Sequence, residues 1–327
     1  MRCLVTGGTG FIGSHVVELL LAKGWDVVCP VRSPSSCRYL RGTTARIISL
    51  DSLKSSLREM HELDCVIHVA GATRALNYQG YYQANVELTR NLLALLKRSP
   101  GGKSLRRFIL VSSQAAAGPS IDDLTFRVES DPPSPVSLYG RSKLEAEQLV
   151  ASYAQDLPVT VVRPPAVFGP RDVDVLGVFK CARYRLAPCI AGPDRLVSII
   201  YVEDLAEGIV SAALSPEAEG QTYFMANREP VIWRQFALLV ARVMGYRAAA
   251  LPVPLSVMRL AACAGDLMGR IRGVPPLMRS EKLQDITQLA WVCSSEKAYN
   301  ELNWQPAVPL DEAIRRTADW YREQGWV

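Results

Sequence analysis

The stretch that decides the fold is Met1-Arg2-Cys3-Leu4-Val5-Thr6-Gly7-Gly8-Thr9-Gly10-Phe11-Ile12-Gly13, which runs into an apolar helical pattern over 14–21. Residues 3–5 predict a short buried strand. Glycines at 7, 10 and 13 allow a sharp turn, close backbone approach to a ligand, and packing of the helix on the strand. The helix N-terminus would meet a diphosphate with unpaired N–H groups and the positive end of its dipole. We therefore predict dinucleotide binding rather than an ordinary glycine-rich turn.

Composition places the chain among ordinary globular proteins. It has 327 residues, 49% hydrophobic and 21% charged, with a net charge of +5. No block of Lys and Arg predicts nucleic-acid binding. The 8 cysteines are scattered, without a CxxC pair or a His cluster nearby, so we expect neither a metal site nor disulfides. Several cysteines lie in apolar runs, where free thiols fit a cytoplasmic protein. The glycine turn interrupts the apolar N-terminus, which argues against a signal peptide.

Strand and helix patterns alternate over the first half of the chain. Strands are predicted over 25–32, 45–50, 65–71, 107–113 and 159–163, and helices over 53–61, 85–96 and 139–154. This alternation predicts an α/β fold with a doubly wound parallel sheet (Rossmann), whose ligands bind at the carboxyl ends of the strands. We expect a dinucleotide-binding domain over 1–164.

The end of the second predicted strand bears on the choice of cofactor. An acidic residue there would select NAD by binding the ribose hydroxyls, but this slot holds Val31, followed by Arg32. A cation can pair with a ribose phosphate, so we expect NADP, with NAD as the alternative. Arg32 could also be a solvent-facing residue of the loop 33–36, and Arg38 competes for the same role.

Tyr139 and Lys143 place a phenol and an ammonium one helical turn apart, on one face. A nearby cation favours the phenolate and lowers the pKa of a tyrosine, which suits it to proton transfer while a hydride moves to or from nicotinamide. Ser113, at the end of the fifth predicted strand, could bind the same substrate oxygen. Alone, such a pair is common on protein surfaces. Downstream of a dinucleotide loop it indicates catalysis.

With these motifs the sequence resembles the extended short-chain dehydrogenase/reductase family over nearly its whole length. The motifs are Thr6-Gly7-Gly8-Thr9-Gly10-Phe11-Ile12-Gly13, His68-Val69-Ala70-Gly71, Asn85, Val111-Ser112-Ser113, Tyr139 with Lys143, Arg163-Pro164-Pro165-Ala166-Val167-Phe168-Gly169-Pro170, and Tyr201-Val202-Glu203-Asp204-Leu205.

The resemblance implies a role for each matching residue. Tyr139 is the acid/base, Lys143 lowers its pKa and binds the nicotinamide ribose, Ser113 polarises the substrate oxygen, and Asn85 supports the network. Ser112 rivals Ser113. The implied cofactor-binding residues are Gly7, Thr9, Gly10, Phe11, Ile12, Gly13, Asp51, Leu53, Ala70, Gly71 and Pro164, together with Arg32, Tyr139 and Lys143.

Two positions bear on the substrate. Epimerases and dehydratases of this family usually carry Asn and Arg where this chain has Ala166 and Val197, and both serve a sugar nucleotide's diphosphate. Without that Asn and Arg, a bound diphosphate would lose charge-assisted contacts, although Arg171 and Arg195 could supply cations instead. The chain looks more like the dihydroflavonol-reductase and 3β-hydroxysteroid-dehydrogenase-like branch, which handles apolar ketones and alcohols.

The C-terminal half predicts a smaller, discontinuous substrate lobe over 165–327, with 197–214 returning to the main domain. Segment 252–282 is apolar and then basic. It could wall a substrate pocket, make a peripheral membrane contact, or be a buried helix with a solvated basic turn. The resemblance also implies a homodimer built from the helices of Asn85 and Tyr139.

The sequence thus predicts an NADP-preferring oxidoreductase acting on a hydrophobic ketone or secondary alcohol. One alternative is a nucleotide-sugar epimerase or dehydratase with tightly bound NAD. Another is a non-catalytic NAD(P)-sensing protein, which the joint presence of Ser113, Tyr139 and Lys143 disfavours.

Overall fold

A computed structural model describes residues 1–33, 37–120, 122, 125–276 and 278–327. In chain order the strands are β1 (Arg2–Thr6), β2 (Asp26–Val31), β3 (Arg46–Ser49), β4 (Cys65–His68), β5 (Arg107–Val111), β6 (Val159–Arg163), β7 (Ala166–Phe168), β8 (Leu186–Ile190), β9 (Leu196–Val197), β10 (Ile199–Tyr201), β11 (Thr222–Phe224), β12 (Val231–Ile232), β13 (Ala249–Val253) and β14 (Ala290–Trp291). The α-helices are α1 (Phe11–Ala22), α2 (Leu53–Glu59), α3 (Tyr78–Tyr81), α4 (Leu88–Arg98), α5 (Pro100–Lys103), α6 (Gln114–Ala117), α7 (Leu138–Ala151), α8 (Leu176–Arg183), α9 (Val202–Leu214), α10 (Trp233–Val243), α11 (Leu255–Arg272), α12 (Ser280–Ile286), α13 (Glu296–Glu301) and α14 (Leu310–Glu323).

The central sheet has seven parallel strands in the order β3-β2-β1-β4-β5-β6-β11. The predicted doubly wound α/β fold is therefore confirmed. The strand order reverses between β1 and β4, which is where ligands bind in open sheets of this kind. The segments that follow these two strands consequently border the expected cofactor cleft.

Both faces of the sheet are buried, which explains the near-continuous apolar strands. Cys3 and Val5 of β1 face a core completed by α1 and α9, whereas Leu4 faces a core completed by α2, α4 and α7. The alternation of side chains along a strand sends neighbours to opposite faces. Residues of α9 thus pack beside those of α1.

The chain after β6 also forms three small sheets. β7 pairs with β10, β8 with β13, and β9 lies between β12 and β14. β9 and β10 follow each other in the chain and are divided at Ser198. The division follows from hydrogen bonding, because Ser198 N donates to Trp291 O at 2.7 Å and Ser198 Oγ accepts from Cys293 N at 3.1 Å.

Two helix predictions need correction. The helix expected to begin near Asn85 starts at α3, where the Asn77 side chain accepts a hydrogen bond from Gly80 N at 3.0 Å, and a π-helical turn over Tyr82–Glu87 joins α3 to α4. Of the three alternatives for 252–282, the structure contradicts the buried helix. In α11 only Ala262 and Gly269 are buried, and the helix rests on the protein through small residues. No helix in the described ranges is both long enough and apolar enough to cross a bilayer.

Candidate active site

The loop between β1 and α1 is pressed against the end of β4. Gly7 has φ +73°, and a Cβ built on it would lie 2.6 Å from Ala70 N. A Cβ on Gly13 would lie 2.2 Å from Gly7 O. Both distances are far inside van der Waals contact, so only glycine allows this crossing of backbones. The glycine spacing is thus a packing requirement of the loop itself.

The N-terminus of α1 has the features of a diphosphate site. Gly10 is its N-cap, no side chain caps it, and its first turn holds no acidic residue. Gly10 N donates to Gly7 O at 2.9 Å, which fixes the turn. Thr9, Phe11 and Ile12 surround it, each half-buried. Free N–H groups at the positive end of a helix dipole fit a dinucleotide's diphosphate.

Arg32 follows β2 and is exposed, at the expected position of the adenosine ribose. Its side chain has no hydrogen bond or ion pair with any residue that the structure describes. Arg38 is already engaged, since its Nη2 donates to Gln324 Oε1 at 2.7 Å and its guanidinium lies 5.4 Å from the ring centre of Tyr39. The rest of the predicted loop, 34–36, lies outside the described residues.

The two expected adenine contacts differ in exposure. Asp51 is exposed, and its backbone N donates to Ser49 Oγ at 3.2 Å. Leu53 opens α2 and is buried in the core with Leu57. Asp51 is therefore accessible to a ligand, whereas the side chain of Leu53 mainly anchors α2.

Asn85 lies in the π-helical turn and connects two parts of the site. Its Oδ1 accepts from Ala72 N at 2.8 Å, and its Nδ2 donates to Ser142 Oγ at 2.8 Å. A Cβ on Gly71 would approach Asn85 Oδ1 to 2.6 Å. Such turns often occur at functional sites, where they redirect one side chain. Asn85 thus ties the segment after β4 to α7.

Helix α7 carries Tyr139 and Lys143, as expected from their spacing. Ser137 caps it, accepting from Gly140 N at 3.1 Å. The Tyr139 phenol shares a hydrogen bond with Ser113, which follows β5. The Lys143 side chain is buried, and its Nζ donates to Val111 O at 2.8 Å. The carboxyl end of β5 therefore meets both residues.

Burial dominates the protonation of this pair. It raises the pKa of Tyr139 to about 12, against the lowering effect of the Ser113 hydrogen bond. It lowers the pKa of Lys143 to about 8, although the Glu147 carboxylate favours the charged form. Burial therefore sets the direction of the Tyr139 shift, while the Lys143 ammonium is held at Val111 O. The expected lowering of the Tyr139 pKa by Lys143 stays a prediction.

The two adjacent serines have different partners. Ser112 Oγ donates to Glu147 Oε1 at 2.5 Å, and Glu147 in turn forms a buried ion pair with Arg163 at 2.6 Å. Ser113 instead faces Tyr139. Pro164, the next residue after Arg163, accepts from Gln114 N through its carbonyl at 2.8 Å, which holds the segment after β6 beside Ser113.

Two acidic residues of α12 that the sequence did not point to also contact the site. Glu281 accepts from Tyr139 N at 3.0 Å and from Tyr81 OH at 3.1 Å. Burial raises the pKa of Asp285 to about 6, and its carboxylate disfavours ionisation of Tyr139. Glu281 and Tyr139 are 142 positions apart, so no local pattern could connect them.

The positions expected to serve a sugar diphosphate are apolar and half-buried, Ala166 on β7 and Val197 on β9. Arg171 is committed to α1, where it donates to Ser14 Oγ at 2.8 Å and pairs with Glu18. Arg195 donates to Pro193 O at 3.0 Å. Ala166 and Val197 thus offer no charged donor, and Arg171 is engaged by α1, whereas Arg195 has no ion pair among the described residues.

This fold and site define an NAD(P)-dependent enzyme of the extended short-chain dehydrogenase/reductase type. The model of the NAD-dependent epimerase/dehydratase family matches residues 3–226, and the chain belongs to that family.

Named relatives include reductases and dehydrogenases. The ceramide reductase of Caulobacter vibrioides is 28% identical over 326 residues, covering 99% of this chain and 95% of the relative. Isoform 2 of 3β-hydroxysteroid-dehydrogenase/decarboxylase from Arabidopsis thaliana is 28% identical over 353 residues, covering 97% of this chain and 61% of the relative. The predicted resemblance to the 3β-hydroxysteroid-dehydrogenase-like branch is confirmed.

Solved structures confirm the fold. UDP-glucose 4-epimerase from Thermotoga maritima, solved with UDP-glucose, superposes with a TM-score of 0.78 at 22% identity, covering 99% of each chain. At this identity the likeness shows the shared architecture and does not select a substrate.

Proposed function

We propose that this enzyme transfers a hydride between NADP and a ketone or secondary alcohol on a hydrophobic, lipid-like substrate. The observation that carries the proposal is the pairing of Ser113 with the Tyr139 phenol near the buried Lys143, in a chain that has apolar Ala166 and Val197 at the two sugar-diphosphate positions. The names of the ceramide and 3β-hydroxysteroid relatives support the substrate class.

The chain's own residues suit the cofactor. Gly7, Gly10 and Gly13 would bind the diphosphate with the N–H groups around Thr9, Phe11 and Ile12. Asp51 and the edge of Leu53 would contact the adenine, and Ala70, Gly71, Pro164 and Lys143 would line the nicotinamide end. Bound there, the nicotinamide supplies or accepts the hydride.

Tyr139 is the proposed proton donor for reduction. A phenol with a pKa of about 12 stays protonated at neutral pH, so it can donate to the carbonyl oxygen as negative charge develops there. Ser113 would hydrogen-bond the same oxygen. Lys143, charged below its pKa of about 8, would stabilise the phenolate that remains. Asn85 would position these groups through Ser142 and Ala72.

Arg32 would set the cofactor preference. Its exposed guanidinium can form charge-assisted hydrogen bonds with a ribose 2′-phosphate, whereas Val31 offers no acceptor for ribose hydroxyls. We expect Arg32→Ala to reduce the preference for NADPH over NADH by about tenfold to a hundredfold. Arg98→Ala, at an exposed site on the far end of α4, is the control.

A homodimer is part of the proposal. A groove on the outer surface of α7, the helix that carries Tyr139, is lined by Leu138, Leu144 and Tyr78. The predicted dimer would use this helix together with the helix of Asn85. Light scattering of the purified chain at several concentrations would test this. A constant monomer mass would refute the dimer and leave the chemistry unaffected.

The function is tested by following NADPH oxidation with purified protein over a panel of hydrophobic ketones and sugar nucleotides. We expect ketone-dependent turnover, reduced about a thousandfold in Tyr139→Phe because a general acid is lost. Tyr184→Phe, at a fully surface-facing tyrosine, is the matched control. Conversion of a sugar nucleotide without net NADPH oxidation would show instead that the chain is an epimerase or dehydratase.

A further inference from the structure

The outward face of α11 carries an apolar stripe that no other described element covers. Apolar residues recur along it at alternating spacings of three and four residues, as one face of a helix requires. They are Val257, Leu260, Ala264, Leu267 and Ile271. Leu260 is 73% exposed, Leu267 61% and Ile271 76%. Single exposed leucines are ordinary, but a contiguous stripe of them marks a binding surface.

The inward face of α11 explains why the stripe points away from the protein. Ala262 and Gly269 are buried, and a Cβ on Gly265 would lie 2.1 Å from Met278 O. The small residues let the helix backbone lie close to the chain beneath it. The large apolar side chains are therefore left on the opposite side, where a globular protein usually places polar ones.

Arginines border the stripe on both sides. At 100° per residue, Arg259 and Arg270 lie along one edge and Arg272 along the other. Among the residues described, none of the three has an ion pair or a side-chain hydrogen bond. The acid of this helix, Asp266, is half-buried and pairs with Arg279 at 3.1 Å. The outward surface of α11 is therefore apolar in the middle and cationic at its edges.

We propose that α11 docks on the surface of an anionic lipid bilayer. Its apolar stripe would lie at the boundary of headgroups and acyl chains, with Arg259, Arg270 and Arg272 against lipid phosphates. Long arginine side chains at the edges of such a helix can reach the headgroups while their stems cover apolar surface.

Charge selects a bilayer over a second copy of this chain. If two α11 helices packed stripe to stripe about a twofold axis, the arginines of one copy would meet those of the other, and α11 has no outward acid to pair with them. Like charges brought together in this way oppose association. Lipid phosphates supply the missing negative charge.

The inward side of α11 is connected to the proposed catalytic residue. Arg279, the partner of Asp266, also donates to Leu76 O at 3.0 Å, and Glu281 two residues later accepts from Tyr139 N. A lipid leaving the bilayer at α11 would thus enter beside Tyr139. Only this last step rests on the proposed function, because binding to vesicles needs no turnover.

The test is co-flotation of the full chain with vesicles of phosphatidylcholine, with and without about a third phosphatidylglycerol, at about 0.1 M salt. We expect binding to the anionic vesicles, weakened at high salt. Leu260→Ser/Ile271→Ser should reduce the partition coefficient about tenfold or more, through loss of buried apolar area. The matched control is Tyr184→Ser/Leu214→Ser, at side chains that are 73% and 52% exposed elsewhere.

The proposal would be overturned if the chain bound neutral and anionic vesicles equally. It would also be overturned if both double variants lost vesicle binding to the same extent. Absence of vesicle binding combined with an α11-dependent change of mass in light scattering would overturn it too, and would indicate a second copy. NADPH oxidation with the panel of hydrophobic ketones, measured in detergent solution without vesicles, separates the two proposals. The α11 variant should retain it, and if the wild type lacks it while still binding vesicles, only the reductase proposal fails.

Discussion

The β1–α1 loop and α11 both depend on glycine, but with opposite results. In the loop, Gly7 and Gly13 bring backbones together inside the protein, and the uncapped N-terminus of α1 is left for the proposed diphosphate. In α11, Gly265 and Gly269 bring the helix close to the chain beneath it and leave large apolar side chains in solvent. The first arrangement builds a ligand site within the fold. The second builds a surface that needs something outside it.

The largest expected effect comes from filling the closest backbone contact. Gly13→Ala places a methyl group against Gly7 O, so we expect a loss of about 3 kcal/mol or more in the free energy of unfolding, together with loss of dinucleotide binding. Gly177→Ala in α8 is the control, because a Cβ at this position meets nothing within 4 Å. This substitution should stabilise the helix by up to about 1 kcal/mol. Chemical denaturation measures both, and similar losses in the two variants would refute the packing argument.

A comparable effect concerns the buried ion pair of Arg163 and Glu147, next to the proposed catalytic residues. Arg163→Met leaves Glu147 buried without its counter-ion, which should cost about 3–5 kcal/mol of stability. Arg234→Met breaks the exposed pair with Asp194 and should cost less than about 1 kcal/mol. Denaturation midpoints compare the stability of the two variants. If Arg163→Met and Arg234→Met lose equal stability, Glu147 is solvated or held by other groups.

The pH dependence of reduction should follow Lys143 rather than Tyr139. The pKa of Lys143 is lowered to about 8, so its ammonium predominates below that pH and is lost as pH rises through it. Tyr139 stays protonated over this range because its pKa is raised to about 12. We expect kcat/KM to decline above about pH 8. The pH profile of kcat/KM is the one to measure, because it reports the pKa values of the free enzyme. A profile that stays level up to about pH 10 would contradict the role of Lys143.

The smallest effect is expected on the α11 stripe. Leu267→Ser should change the free energy of unfolding by less than about 0.5 kcal/mol, since the side chain is 61% exposed. Leu205→Ser, at a fully buried leucine of α9, should cost about 3 kcal/mol or more. Thermal unfolding distinguishes them. A large loss for Leu267→Ser would show that the stripe is packed within the protein.

Local patterns were enough to predict the sheet and most of the candidate site residues that the structure brings together. The glycine spacing, the apolar strand β4 and the Tyr139/Lys143 spacing each depend on residues close in sequence. Ser113 was expected from its place at the end of the fifth predicted strand, and Asn85 from the family resemblance. The structure places Asn85 beside α7 and Ser113 at the Tyr139 phenol.

What the sequence could not predict depends on distant contacts. The pKa of Tyr139 is set by burial under elements that include α12, and Glu281 reaches it from 142 positions away. The exposure of α11 was equally hidden, because an apolar helix reads the same whether its large residues face the core or solvent. The small residues Ala262, Gly265 and Gly269 were the available signal, since they mark the side on which the helix packs.

The central claim is net hydride transfer to a hydrophobic ketone, and isotope transfer tests it most directly. The protein would be incubated with NADPH deuterated at the transferable position and with a hydrophobic ketone, and the product analysed by mass spectrometry. The account predicts an alcohol carrying one deuterium on its carbinol carbon, formed by the wild type and by Tyr184→Phe but not by Tyr139→Phe. A sugar nucleotide epimerised or dehydrated without deuterium from NADPH, with no ketone reduced, would contradict it.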